Sequence, residues 1–231
     1  TAMGVDNIIT FDAHDPRVQN AIPLSGFETV RPTYQFIKGL LRTVPDLIID
    51  SDHMMAISPD EGGTSRAVYL ANVLGLDMGM FYKRRDYTQI VDGRNPIVAH
   101  EFLGSSVEGK DVIIIDDMIS SGDSIIDVAT ELKRRKAKRI FAAATFGLFT
   151  NGLDKFDKAY EEGIIHGILT TNLIYQTPEL LSRPYYINCD LSKYIALLID
   201  TLNHDGSISS ILSPNERIQH VVQKYKNGEP I

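Results

Sequence analysis

Two adjacent carboxylates, Asp116 and Asp117, stand at the end of an apolar run and just before a short polar turn. The run, Val112 to Ile115, consists of β-branched residues and predicts a strand that is buried on both faces. Like charges repel, so these carboxylates do not suit a phosphate; they suit the hydroxyl groups of a polyol or a hydrated divalent cation. The paired acids therefore indicate a polar binding site at a strand end.

The turn that follows predicts a phosphate site. Small hydroxyl side chains and one glycine stand there, at Ser120, Ser121, Gly122 and Ser124. Apolar residues from Ile125 to Leu132 then recur at helical spacing, so a helix begins inside this turn. Unpaired N–H groups and the helix dipole both favour an anion at such a point. A phosphate cradle beside paired carboxylates indicates a sugar phosphate as the ligand.

A second strand–turn–helix pattern lies upstream. Met54 to Ser58 is an apolar run that predicts a strand, and the apolar residues from Ala67 to Leu74 recur at helical spacing. Gly62 and Gly63 stand between them, where the lack of a side chain lets the backbone approach a pyrophosphate closely. Two adjacent glycines alone are equally typical of a simple turn. Together with the first turn, they could hold two phosphate groups of one ligand.

These motifs resemble those of a known family. An apolar strand, Asp-Asp, two apolar residues, a small polar pair, Gly, any residue and Ser or Thr is the phosphoribosyl pyrophosphate (PRPP) binding motif of type I phosphoribosyltransferases and PRPP synthases, and residues 112–124 resemble it. The string Ser-Pro-Asp-x-Gly-Gly-x-x-Arg at 58–66 is similar to PRPP synthases and their inactive relatives in particular. Two positions depart from the pattern: PRPP synthases often carry Asp where Ser120 stands and a small residue where Asp123 stands. Asp123 suits a phosphate turn only if it points outward as a helix-cap residue.

The resemblance extends to about Ile211 and implies an α/β fold, with a three-layer, parallel-sheet type I phosphoribosyltransferase-like domain preceded by the remnant of a similar domain. Strands that alternate with helices independently predict a parallel α/β architecture. We expect the remnant at residues 1–45, the second domain at 46–212 and a helical tail at 213–231, with a helix from Asn215 to Tyr225. The resemblance also implies that the chain is N-terminally truncated and lacks much of the adenine pocket. The chain by itself would then make PRPP only slowly, because transfer requires ATP to be held in line with the sugar.

The family's functional residues carry over position by position. The resemblance implies that ribose 5-phosphate binds at Asp116, Asp117, Ser120, Ser121, Gly122 and Ser124. It implies that ATP and its pyrophosphate region bind at His14, Asp60, Gly62, Gly63 and Arg66. Mg²⁺ is the implied cofactor, held by His14 and Asp60 directly or through water. By itself, a histidine at a strand end before Pro16 would be an ordinary surface or core residue.

Three adjacent cations begin at Lys83, after a predicted strand from Met78 to Tyr82, and a polar run to Pro96 follows them. Such a cluster is commonly a solvated basic patch. The functional interpretation is a mobile flap whose cations neutralise charge on a phosphate during transfer. The resemblance to PRPP synthases implies that Lys83 and Arg85 are the catalytic residues.

Composition excludes several classes of protein. The net charge of −7, from 30 acidic and 23 basic residues, disfavours a general nucleic-acid binder. No apolar run reaches the ~18 residues of a membrane span, and no export signal opens the chain. The single Cys189 can form no internal disulfide and is typical of core packing. We therefore expect a cytoplasmic protein without membrane or nucleic-acid partners.

The parent function implied by the resemblance is ribose-phosphate diphosphokinase. This enzyme transfers the β,γ-diphosphoryl group of ATP to O1 of ribose 5-phosphate and yields PRPP and AMP for nucleotide biosynthesis. The resemblance also implies a homo-oligomer, since the family forms hexamers. One alternative is a type I phosphoribosyltransferase that consumes PRPP, which the 58–66 string and the lack of an obvious base-recognition hood disfavour. The other is a non-catalytic PRPP-synthase-like regulatory subunit, which the presence of His14, Lys83 and Arg85 disfavours.

Overall fold

A computed structural model describes the backbone of residues 1–85, 88 and 97–231. It describes the side chains of the same residues, except those of 83–85 and 97–100. The strands are β1 (Asn7–Phe11), β2 (Gly26–Val30), β3 (Met54–Ser58), β4 (Asp77–Arg85), β5 (Ile97–Leu103), β6 (Asp111–Ile119), β7 (Arg139–Gly147), β8 (Gly167–Thr171) and β9 (Tyr186–Cys189). The α-helices are α1 (Thr33–Thr43), α2 (Thr64–Leu74), α3 (Asp123–Arg134), α4 (Asp154–Glu161), α5 (Pro178–Leu181), α6 (Ser192–Asn203), α7 (Ser209–Leu212) and α8 (Asn215–Lys226). None of the described helices is both long and apolar enough to cross a lipid bilayer.

The central sheet has the strand order β5-β4-β3-β6-β7-β8-β9. Its neighbouring strands pair in parallel, except that β5 runs antiparallel to β4 at one edge. Helices connect the parallel strands, as parallel pairing requires. The predicted parallel α/β fold is therefore confirmed. The antiparallel edge strand β5 was not expected from the sequence.

The sheet is covered on both faces, because alternate residues of each strand point to opposite sides. In β6, Val112 and Ile114 belong to a core with residues of α3 and α4. Ile113 and Ile115 belong to a second core with residues of α1, α2 and α8. The three-layer architecture predicted from the sequence is thus present, and it presents the carboxyl ends of β3, β6 and β7 at one edge of the sheet.

The strand β6 is longer than the sequence predicted. It runs to Ile119, so Asp116 and Asp117 lie within the strand. The sequence had placed them after its end. Asp116 is paired in register with Ala144 of β7, and the pairing resumes at Met118. The pairing of β6 with β7 thus continues past the two carboxylates, because β7 is long enough to pair with β6 as far as Ile119.

Before the central sheet, β1 and β2 form a separate two-stranded parallel sheet, joined through a 3-10 helix at Pro16–Ala21. The helix α1 follows, and four of its apolar side chains are buried with the central sheet. The division of the chain at residues 45 and 212 stays a prediction. Because α1 shares the core of the sheet, its packing favours a break nearer residue 31.

The helix predicted from Asn215 to Tyr225 is confirmed as α8. It is not a detached tail, because Ile218, Val221 and Val222 are buried in the same core as α1 and α2. The hydroxyl of Tyr225 donates to the carbonyl oxygen of Val44 at 2.9 Å and accepts from the N–H of Leu47 at 2.7 Å. The C-terminal helix is therefore an integral part of the outer layer.

Candidate functional site

A cavity of about 530 Å³ lies where β3 and β6 end and the segment after β1 passes over them. Several of the residues singled out in the sequence line it together, namely His14, Asp60, Gly62, Arg66, Asp116 and Asp117. Asp15, Arg17 and Glu61 line it as well, and the sequence analysis gave them no role. Segments more than 100 positions apart in the chain thus form one polar cavity.

His14 is held in place by Asp117. Its Nδ1 lies 2.8 Å from the Asp117 carboxylate, of which only 5% of the side-chain surface is exposed, whereas the His14 side chain is 76% exposed. The hydrogen bond and the negative charge of Asp117 raise the pKa of His14. Asp117 therefore fixes the Nδ1 edge of a ring that is otherwise largely exposed at the cavity.

The two carboxylates titrate differently. Burial, reinforced by the hydrogen bond with Asp117, raises the pKa of Asp116 to about 7. Burial would also raise the pKa of Asp117, but hydrogen bonds with Asp116 and His14 and the charge of Arg66 outweigh it and lower that pKa. Two neighbouring carboxylates cannot easily both be charged in a desolvated site. The pair is therefore suited to ligands that donate hydrogen bonds or bring positive charge.

Arg66 is anchored inside the protein. Its Nε donates to Asp12 Oδ1 at 2.8 Å and its Nη2 donates to the carbonyl oxygen of Ala13 at 3.2 Å, while Nη2 lies 3.8 Å from Asp117 Oδ1. Asp12 was given no role from the sequence. Arg66 lies 54 positions from Asp12 in the sequence, so no local sequence pattern predicts their contact. The predicted pyrophosphate role of Arg66 stays a prediction; the described role is to join the β1 segment to α2.

The turn between β6 and α3 requires its glycine. Gly122 adopts φ +83°, and a Cβ atom at this position would overlap the Phe156 ring. A residue with a side chain would be strained there on both counts. Asp123 points outward, as its position demanded, and forms an ion pair with Lys155. The negative charge of Asp123 is thereby offset by Lys155.

The second turn is equally compact. Gly63 precedes α2, and a Cβ atom there would lie 2.8 Å from Ser58 Oγ. The Ser58 hydroxyl donates to the carbonyl oxygen of Asp60 at 2.6 Å, and Asp60 Oδ1 accepts from the N–H of Gly63 at 3.2 Å. These bonds fix the Asp60 carboxylate at the wall of the cavity.

The residues of the cavity fit a hydrated magnesium ion. Asp60, Asp116 and Glu61 supply carboxylate oxygens, which Mg²⁺ prefers, and Mg²⁺ usually keeps several waters and binds phosphate oxygens of a substrate. Among the described residues, no group of three or more His, Cys, Asp or Glu side chains is arranged so that it could hold a metal ion by itself. An ion here would therefore depend on water and ligand oxygens. The assignment of His14 and Asp60 as its protein ligands stays a prediction.

Lys83 and Arg85 lie in β4, which pairs with β5. Their side chains fall outside those that the structure describes. Ser120 and Ser121 belong to the β6–α3 turn and Ser124 lies in the first turn of α3, and none of the three lines the cavity wall. The catalytic and phosphate-binding assignments of these residues therefore stay predictions.

Comparison with known proteins identifies the fold family. The profile described as "Phosphoribosyl transferase domain" matches residues 36–165, more than half of the chain. The chain belongs to the phosphoribosyl transferase domain family. This match spans both strand–turn–helix units of the candidate site.

Individual relatives agree with this membership. The chain is 30% identical over 218 residues to a ribose-phosphate pyrophosphokinase of Vibrio parahaemolyticus, covering 91% of the chain and 62% of that protein. It is 29% identical over 212 residues to a ribose-phosphate pyrophosphokinase of Mycoplasma pneumoniae, covering 91% and 60%. A crystal structure of phosphoribosylpyrophosphate synthetase from Mycobacterium smegmatis has the same fold, with a TM-score of 0.71 at 22% identity over 89% of the chain and 61% of that structure. The chain thus spans about three fifths of the length of each.

Proposed function

We propose that the protein acts in ribose-phosphate diphosphokinase chemistry, with ribose 5-phosphate and ATP as substrates and PRPP and AMP as products. The observation that carries this proposal is the pairing of Asp116 and Asp117 in one cavity with His14, Asp60 and Arg66. This set places a polyol site beside the β6–α3 turn, and the chain is similar over 91% of its length to proteins named ribose-phosphate pyrophosphokinase. Assembly into a homo-oligomer belongs to the same proposal.

In this proposal each half of the β6–α3 unit binds one half of the sugar phosphate. Asp116 and Asp117 accept hydrogen bonds from the ribose hydroxyls. The N–H groups at the start of α3, with the hydroxyls of Ser120, Ser121 and Ser124, bind the 5-phosphate. Because β6 is fixed between β3 and β7, the distance between the two halves is set by rigid backbone. The site thereby selects a five-carbon sugar that carries its phosphate on the terminal carbon.

The reaction forms a bond between O1 of ribose 5-phosphate and the β-phosphorus of ATP, while the bond from that phosphorus to the α,β-bridging oxygen breaks and O1 loses its proton. AMP leaves with the bridging oxygen. Bound Mg²⁺ would neutralise phosphate charge and orient the diphosphate, with Asp60 and His14 as its protein ligands. Lys83 and Arg85 would stabilise the charge that develops during transfer.

Two measurements test the proposal. Calorimetry should show that the chain binds ribose 5-phosphate, and that ribose lacking the phosphate binds far more weakly. AMP and PRPP should form in equal amounts from ATP, ribose 5-phosphate and Mg²⁺. Absence of ribose 5-phosphate binding would refute the assignment. Diphosphate release from PRPP in the presence of a nucleobase would instead establish a phosphoribosyltransferase. Sugar binding without AMP release, also in a full-length version, would favour the regulatory subunit.

The proposed role of the two cations in β4 has its own test. In a full-length version, Lys83→Ala and Arg85→Ala should lower kcat far more than they raise KM for ribose 5-phosphate, because their charge is needed mainly in the transition state. Lys158→Ala, a change of an exposed lysine on α4, is the matched control and should leave both parameters unchanged. A wild-type kcat in the Lys83 and Arg85 variants would favour the alternative interpretation, in which these residues form a solvated basic patch.

A further inference from the structure

A second cavity, of about 500 Å³, lies between α1, α6, α8 and the carboxyl end of β9. It shares no lining residue with the candidate site. Four cations from three different helices converge on it, namely Lys38, Arg42, Lys193 and Arg217. The amides of Gln35 and Asn188 and the rings of Tyr34 and Tyr194 complete much of its polar wall. The chain as a whole is acidic, so this concentration of positive charge is local.

Among the described residues, these cations are not paired with acidic side chains. Within the described part of the chain, none of the four takes part in an ion pair within 4 Å. Asp190 also lines the cavity, but its Oδ1 accepts hydrogen bonds from Asn172 and from the N–H of Ser192, both at 2.8 Å. Burial, followed by the charges of Arg42 and Lys193, lowers the pKa of Lys38. The positive charges thus oppose one another, and among the described lining residues Asp190 is the one acidic side chain against these four cations.

The arrangement differs from an ordinary solvated patch, because its central cations are held in place. Lys38 and Arg217 are both half-buried, and both lie over the ring of Tyr34, at 5.9 Å and 5.5 Å from its centroid. Arg217 Nη2 also donates to the carbonyl oxygen of Ile211 at 2.8 Å, and Arg42 Nε donates to the main-chain oxygen of Ile231 at 2.7 Å. Fixed cations lose little side-chain entropy when they bind a ligand.

We infer that this cavity binds a small anion that carries two or more phosphate charges. A lone chloride or carboxylate would engage only part of a ring of four cations drawn from α1, α6 and α8. A phosphate-bearing molecule offers several acceptor oxygens, each able to form charge-assisted hydrogen bonds with Lys and Arg. Its negative charge would also remove the mutual repulsion of the four side chains. The inference concerns residues outside the candidate site and does not depend on the proposed function.

Site-specific labelling tests this inference on the unchanged chain. Lysines are modified with an amine-reactive reagent at increasing concentrations of inorganic pyrophosphate, and the extent at each lysine is read by peptide mass spectrometry. At a pyrophosphate concentration ten times the dissociation constant, about nine tenths of the sites are filled, so modification of Lys38 and Lys193 should fall about tenfold. Lys158, an exposed lysine on α4, should be modified equally at all concentrations.

A double variant locates the binding in this cavity. In Lys38→Gln/Arg217→Gln, protection of Lys193 should require at least about tenfold more pyrophosphate, since a charge-assisted hydrogen bond is lost at each position. Lys133→Gln, an exposed change on α3, should leave the midpoint unchanged. If the double variant does not fold, labelling of the unchanged chain still decides the question.

Two outcomes would overturn the inference. The first is modification of Lys38 that does not depend on pyrophosphate. The second is protection of Lys38 that rises with protein concentration when no pyrophosphate is present, because a second copy of the chain would then cover the cavity.

Discussion

Asp12 accepts a hydrogen bond from Arg66 Nε at 2.8 Å, and each of these side chains is 7% exposed. The other oxygen of Asp12 accepts from the hydroxyl of Thr145 at 2.7 Å. One buried carboxylate therefore links the residue after β1, the first turn of α2 and the strand β7. Because His14 follows two positions later, this link also sets where His14 enters the candidate site.

Replacing Asp12 by Ala should lower the free energy of unfolding by about 3–5 kcal/mol, because it leaves the Arg66 guanidinium buried without its counter-charge. Asp12 also has φ +43°, a conformation that Asp tolerates better than Ala. Urea denaturation measures the change. The control is Glu108→Ala, which removes an exposed ion pair with Lys136 and should change stability little. Equal losses of unfolding free energy in the two variants would contradict the prediction, because the buried Asp12–Arg66 pair would then contribute no more than the exposed Glu108–Lys136 pair.

Asp117→Ala should weaken binding of ribose 5-phosphate by about 1–3 kcal/mol if Asp117 accepts a hydrogen bond from a sugar hydroxyl. The matched control is Asp127→Ala, which removes an exposed carboxylate on α3. This change should leave the affinity for ribose 5-phosphate unchanged, because Asp127 has no part in the proposed sugar-phosphate site. Isothermal titration calorimetry measures both. Unchanged affinity in the Asp117 variant would count decisively against the assignment.

The local units of the candidate site could be predicted from the sequence, because each is contiguous in the chain. The β6–turn–α3 unit carries its strand, its glycine and its helix start within about twenty residues, and hydrophobic periodicity identifies such a unit. Asp123 meets the condition that it points outward, but Gly122 and not Asp123 is the N-cap residue of α3. The resemblance then added the assignments of His14 and Asp60, which periodicity alone would not have provided.

Contacts between distant segments could not be predicted in the same way. The Asp12–Arg66 pair, the burial of α8 and the converging cations of the second cavity all depend on how separate elements pack. The end of β6 was placed too early because two adjacent carboxylates disfavour a strand locally, whereas pairing with β7 extends the ladder to Ile119. Tertiary pairing therefore overrode local propensity at the site itself.

His166 should make the free energy of unfolding fall more steeply in acid than it would without this histidine. Its Nδ1 accepts a hydrogen bond from the N–H of Ile140 at 3.2 Å, which only an unprotonated nitrogen can do. Burial, followed by the charges of Lys133 and Arg139, lowers the pKa of His166 below its usual value near 6.5. As pH falls through about 6.5, the unfolded chain binds the proton first, so the folded state loses stability.

Urea denaturation between pH 5 and pH 8 measures this effect. His166→Gln should show a shallower loss of unfolding free energy below about pH 6.5 than the wild type. His220→Gln, a change of an exposed histidine on α8, should retain the wild-type slope. A wild-type slope in the His166 variant would show that another group is responsible for the acid sensitivity.

The final prediction concerns α8, which the sequence alone described as a tail. Ile218 is fully buried against the helices α1 and α2, so Ile218→Ala should lower the free energy of unfolding by about 2–5 kcal/mol through lost burial and a residual cavity. His220→Ala, on the exposed face of the same helix, should change it by less than about 0.5 kcal/mol. Both values come from urea denaturation followed by circular dichroism. If Ile218→Ala matched the His220 variant, α8 would not be packed on the sheet in solution; a large loss would establish that residues after 212 help to hold the layer that also carries Lys38.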